Sequence, residues 1–197
     1  MKRRKKDMDF NKITASLKAQ GYRERRVTIT SAQAIVKGTL YALPFVLAFG
    51  LAYRFLLIDR AYLSEVAGVS FYAVFIGITV VSVILHELFH GIGWALSSRK
   101  GWDAVHFNIS AFMPSCACRA ALSKRKYLVG VLLPFAVLGG ASLIFLFLYP
   151  GTFSVLTMIV NFILAGADIM IALRVLKEKD VLIADHPTEA GYIAFYK

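Results

Sequence analysis

The feature that most constrains this chain is a stretch without charge: from Tyr127 to Ala167 there is no Asp, Glu, Lys or Arg. A bilayer core of about 30 Å is crossed by roughly 20 apolar helical residues, so the stretch is too long for one span. Tyr149-Pro150-Gly151-Thr152 stands near its middle as a turn signal, and the reading is two membrane helices. Two more precede them. The first, about Ala34 to Leu57, has Ser31 as its expected N-cap and an expected kink at Pro44, with only Lys37 and Arg54 near its ends, where they can snorkel. The second, about Gly68 to Leu96, has no charge between Glu65 and His86 and outlasts the bilayer core, so it must tilt or protrude.

Composition agrees: 58% of residues are hydrophobic, only 18% are charged and the mean hydropathy is +0.63, which excludes a disordered chain or an ordinary soluble domain. The net charge of +11 invites a nucleic-acid reading, but 10 of the 23 Lys and Arg lie in Met1–Arg26. The excess is therefore a property of one end, and no nucleic-acid partner is expected. The N-terminus, Arg99–Lys126 and the segment after Arg174 are basic, whereas Asp59–Val66 holds one Arg and Tyr149–Thr152 none. That asymmetry predicts an integral membrane protein with both termini cytosolic; a prokaryotic cell membrane is the expected location. Asp7, Asp9, Lys12, Lys18 and Glu24 interrupt the first thirty residues, which is not the pattern of a cleavable signal. Cys116 and Cys118, separated by one residue, make no disulfide framework and read as reduced thiols.

The expected fold is an all-α polytopic membrane protein with four transmembrane helices and a short β-hairpin or re-entrant segment between helices 2 and 3. Residues 1–30 form a basic cytosolic segment, 31–178 the four-span core and 179–197 a cytosolic tail. Phe10, Ile13 and Leu17 recur at helical spacing among basic residues, which suits either an interfacial helix on anionic lipid or a solvated tail that sets topology. Val105–Leu122 alternates unevenly around Met113-Pro114 and reads as the hairpin, the re-entrant segment or an ordinary loop. Val181–Tyr196 has β-type residues on either side of Asp185-His186-Pro187, as a second small hairpin would.

Ionisable side chains inside a membrane cost at least about 2.5–3.5 kcal/mol each and need a partner or a task. Four lie well within the expected spans: His86, Glu87, His90 and Asp168. The first three form His86-Glu87-Leu88-Phe89-His90, an H-E-x-x-H pattern whose i, i+4 spacing sets both imidazoles on one helical face, where they can bind one Zn²⁺. Glu87, between them, can address a metal-bound water as general base. A catalytic zinc takes three protein ligands and keeps one position open. Asp168 is the candidate third ligand, because His90 and Asp168 fall about equally far from the cytosolic ends of their spans and can meet. Asn161, two turns before Asp168 on the same face, either hydrogen-bonds substrate backbone or holds the helix pair. Gly91, Gly93 and Gly166 read as small-residue helix packing. Cys116 and Cys118 read as incidental thiols and His106 as an ordinary polar residue, while His186 reaches the site only if the tail folds back. Lys124-Arg125-Lys126 reads as a topology signal and lipid anchor.

H-E-L-F-H-G late in the second span, N-F-I-L-A-G-A-D in the fourth and D-H-P-T-E-A-G-Y near the end together resemble a family of membrane zincins distantly similar to the site-2 proteases of regulated intramembrane proteolysis. The resemblance covers about Tyr72 to Tyr192. It implies His86, His90 and Asp168 as zinc ligands and Glu87 as catalytic base. Site-2 proteases carry a proline within the Asn-to-Asp stretch and a glycine after the aspartate, where this chain has Leu164 or its neighbours and Ile169. The expected activity is intramembrane zinc proteolysis of a membrane-embedded or membrane-proximal protein or peptide near the cytosolic leaflet, with anionic lipid at the basic N-terminus. Its rivals are a non-catalytic metal-binding membrane protein, a sensor or transporter, and a zinc hydrolase of a lipid or small amide.

Overall fold

The computed structural model describes residues 12–57, 59, 69–110, 113–186 and 189–197; Phe10, Pro187 and the segment after Asp59 lie outside them. After a short helix α1 (residues 12–19) and strand β1 (Arg23–Ile29) come helices α2 (Ser31–Leu56) and α3 (Val69–Ser97). A 3-10 turn (Gly101–Ala104) leads into strands β2 (Val105–Ser110), β3 (Met113–Cys118) and β4 (Leu122–Ser123). Helix α4 (Lys124–Pro134) continues through a π-helical turn (Phe135–Gly139) into α5 (Gly140–Leu148). Helix α6 (Thr152–Lys177) and strands β5 (Val181–Asp185) and β6 (Ala190–Tyr196) complete the chain.

Four helices are long and apolar enough to cross a membrane: Ser31–Leu56, Phe71–Ser97, Lys124–Leu148 and Thr152–Lys177. They turn large side chains such as Ile35, Leu40, Phe55, Ile76, Ile84 and Ile144 outward, an apolar surface that water would penalise and acyl chains accept. The charge-free stretch does divide at Tyr149–Gly151, between α5 and α6. The cap of helix α2 lies one residue before the expected Ser31, which is itself the first helical residue. Thr30, not Ser31, is the N-cap: its Oγ1 accepts from Gln33 N–H while Gln33 Oε1 accepts from Thr30 N–H, a reciprocal capping box. The helix runs on through Pro44.

Helix α6 is the most enclosed span and α2 and α3 the least. Its buried Met158 and Phe162 pack with Leu146 and Leu57, and Phe45 and Phe49 of α2 stack on the Phe162 ring. Lower on the same helix pair, a side chain on Gly166 would lie 2.1 Å from the Gly38 carbonyl oxygen. Only missing Cβ atoms let α2 and α6 cross so closely there.

An all-α fold is not what the chain adopts. A four-stranded antiparallel sheet, in the order β1-β6-β5-β4, gathers at the end of the bundle where α2 and α4 begin and α6 stops. The tail forms the expected hairpin, β5 with β6, but β1 adds to its outer edge with Arg23 opposite Tyr196 and Ile29 opposite Ala190. Strand β4 adds to the other edge with Leu122 opposite Ile183. Charged β1, Arg-Glu-Arg-Arg-Val-Thr-Ile, is tolerable because it lies at an edge. Ile13 and Leu17 of α1 pack on the sheet against Ala184, Ile193 and Phe195, so the apolar side of this helix is committed to protein. Strands β2 and β3 form a separate two-stranded hairpin, with Val105 opposite Cys118 and Phe107 opposite Cys116.

Candidate metal centre

Two imidazoles one helical turn apart on α3 cannot avoid each other, and both are buried. His86 Nε2 and His90 Nε2 stand 3.1 Å apart. Helix α6 brings Asp168 Oδ2 to 3.0 Å from His86 Nε2 and 3.4 Å from His90 Nε2. Although enclosed, this oxygen accepts no directed hydrogen bond among the described residues. Three atoms able to act as metal ligands therefore crowd one point. Ligand atoms of a tetrahedral zinc at about 2.0–2.1 Å stand about 3.3 Å from one another, so the spacing fits that ion. Among the described residues, these three form the group of His, Cys, Asp or Glu able to hold a metal.

A neighbouring helix prepares His90. Its Nδ1–H donates to the Gly130 carbonyl of α4 at 2.9 Å; because a carbonyl only accepts, the ring proton stays on Nδ1 and the Nε2 lone pair faces His86 and Asp168. This contact depends on two glycines. A Cβ on Gly130 would lie 2.0 Å from the Trp94 ring, and one on Gly93 would lie 2.6 Å from the Gly130 Cα. Trp94 stacks on the His90 imidazole at 5.2 Å between centroids and donates from Nε1 to the Tyr127 carbonyl at 3.2 Å. Gly93 is thus helix packing, as expected, and that packing positions His90.

Glu87 faces the hairpin. Its Oε2 accepts from the Cys116 N–H of β3 at 2.5 Å, while its carboxylate lies in the field of His90, His86 and Asp168. Two residues along the same strand edge, Cys118 N–H donates to Asp185 Oδ2 of β5 at 2.6 Å, and the buried Tyr127 hydroxyl donates to Asp185 Oδ1. Burial pushes the Asp185 carboxyl up to about 6, against the opposing pull of those two hydrogen bonds. The tail does fold back toward the site, but it delivers Asp185. His186 Nδ1 accepts from the Glu189 N–H instead. Burial also drives up both thiols, helped by Glu87 at Cys116 and by Asp185 at Cys118, whose value rises to about 12. Protonated thiols are poor metal ligands.

Asn161 is buried one layer deeper in the bundle, about 10 Å along α6 from Asp168. Its Nδ2 donates to the Thr157 carbonyl of its own helix at 2.9 Å, and its Oδ1 has no hydrogen-bond partner among the described residues. Sequence reasoning passed over Gly130, Tyr127 and Asp185. A lone acid at the end of the apolar run Val181–Ala184 was the available signal for Asp185; the reach of a backbone carbonyl on another helix leaves none.

The family described as "Putative zincin peptidase" (DUF3267) matches residues 79–182. That segment holds His86, Glu87, His90 and Asp168 and runs from the middle of α3 into β5. No curated protein and no solved structure matches the chain. With more than half its length matched and a His-His-Asp group suited to zinc within the match, the chain belongs to this zincin peptidase family.

Proposed function

We propose that the protein is an intramembrane zinc metalloprotease that hydrolyses a peptide bond of a membrane-embedded or membrane-proximal substrate near the cytosolic leaflet. The convergence of His86, His90 and Asp168 within four helices of membrane-spanning length carries this reading. The basic segments that flank the sheet end of the bundle support placing that end, and both termini, on the cytosolic side.

His86, His90 and Asp168 would hold the zinc, which when bound polarises a carbonyl and lowers the pKa of water. Glu87 takes the proton of that water on its carboxylate and returns it to the leaving amine. In the resting protein its Oε2 holds the Cys116 N–H, so it exchanges one proton-bearing partner for another when it acts. Peptide bonds in a transmembrane helix are already hydrogen-bonded, so the substrate must unwind locally. The edge of β3, whose Cys116 and Cys118 N–H groups point away from β2 to Glu87 and Asp185, supports its capture as an added strand. Asn161, with an unpartnered Oδ1, is assigned to substrate backbone deeper in the bundle.

The test is Glu87→Gln in the full-length protein. Zinc content should stay at the wild-type level, while new protein termini within or beside apolar segments, found by terminal labelling of membranes, should fall by 100-fold or more. Identical termini with both forms would remove proteolysis by Glu87. Turnover of a lipid amide in place of peptides, abolished by the same substitution, would favour the lipid hydrolase.

A further inference from the structure

A cavity of about 570 Å³ opens well outside the His-His-Asp group, at the end of the bundle where α3 stops and α4 starts. Three distant stretches of chain build it: α1, the α3 exit, and β4 with the first turn of α4. Each contributes a cation, respectively Lys12, the pair Arg99 and Lys100, and Lys126, and among the described residues no carboxylate lines the space. The ion pairs of the described residues engage other basic groups, Lys18, Arg25 and Arg26. Four exposed like charges around one concavity repel one another, and an anion among them would relieve that repulsion.

The remaining lining narrows the choice of anion. Ser98 and Ser123 contribute hydroxyls, and Ser123, although it caps α4, makes no side-chain bond to the helix. Hydroxyls and ammonium or guanidinium groups together match the oxygens of a phosphate. The cavity also lies level with the ends of two helices of membrane-spanning length, Ser97 of α3 and Lys124 of α4, where the headgroups of a bilayer would lie.

We propose that this cavity binds the phosphate of an anionic membrane lipid, with the headgroup among the four cations. The site clamps α1 to the ends of α3 and α4, so occupancy ties the N-terminal segment to the helix that carries His86 and His90.

Native mass spectrometry of the full-length protein in zwitterionic micelles tests it, with phosphatidylglycerol, phosphatidylcholine and inorganic phosphate as probes. One phosphatidylglycerol should be retained at least ten-fold more strongly than phosphatidylcholine. The exposed pair Lys100→Glu/Lys126→Glu should weaken that retention at least ten-fold with zinc content unchanged. Arg23→Glu/Lys179→Glu, an equal change of net charge outside the cavity, should have no effect. Equal loss with both pairs, or equal retention of the two lipids, would overturn the site. Displacement of the lipid by equimolar inorganic phosphate would support the phosphate chemistry and overturn a lipid as its source.

Discussion

Two enclosed carboxylates lie near the exit of α6, and their surroundings are opposite. Glu178, just past the helix end, is saturated: Oε1 accepts from Arg25 Nη2 and the Tyr192 hydroxyl, each at 2.8 Å, and Oε2 accepts from the Tyr196 hydroxyl at 2.5 Å. Burial and this carboxylate together push both tyrosine hydroxyls up. Asp168, within the span, has two imidazole nitrogens beside Oδ2 but, among the described residues, no directed hydrogen bond on it. A buried acid with its donors supplied is a fastener between β1, α6 and β6. An enclosed acid beside two imidazole nitrogens, with no hydrogen bond directed at it, has the surroundings of a metal ligand.

The comparison breaks most sharply at Asp168. Asp168→Ala should lose zinc altogether by metal analysis, yet melt no lower than the wild-type protein after chelation, because the substitution removes an unsatisfied group rather than a bond. A clear drop below the chelated wild type would make Asp168 a structural residue like Glu178. Next in size, Gly130→Ala drives a methyl into Trp94 and shifts the carbonyl that orients His90. Zinc affinity measured by chelator competition should weaken 10- to 100-fold, and an unchanged affinity would separate the α4 backbone from the metal centre. Glu178→Ala should cost about 2 kcal/mol of stability through its charged hydrogen bonds, read by denaturant titration, with zinc stoichiometry intact. Loss of zinc from that variant would erase the distinction between the two acids. Smallest of all, Cys116→Ala/Cys118→Ala should leave zinc content unchanged, since both thiols are held protonated. A fall in stoichiometry would bring sulfur into the ligand set.

How much was legible beforehand varies with the range of the interaction. The two His of α3 and Glu87 are one helical turn of sequence, and spacing alone sets their shared neighbourhood. Asp168 was reachable through depth, because a membrane imposes a common coordinate on helices far apart in sequence. The sheet was half legible. Strands β5 and β6 carry an apolar pattern over a short connection, whereas β1 is mostly charged and the two-residue β4 is too short to show a pattern. Edge strands are chosen by their partners' free backbone groups, and these leave no trace in side-chain periodicity. The same reason hid Thr30 behind Ser31, since both residue types cap helices and only the Gln33 contact separates them.

The chain by itself determined that there would be four apolar helices and that one of them would present two imidazoles with a carboxylate between them, because hydrophobic length and helical period are local properties. Tertiary structure decided which atoms are left unsatisfied. It set Gly130 under His90, gave Glu178 its three donors, withheld them from Asp168, and set Cys116 and Asp185 against the site. Those outcomes depend on backbone groups and on segments remote in sequence, whose meeting is dictated by how closely the helices pack.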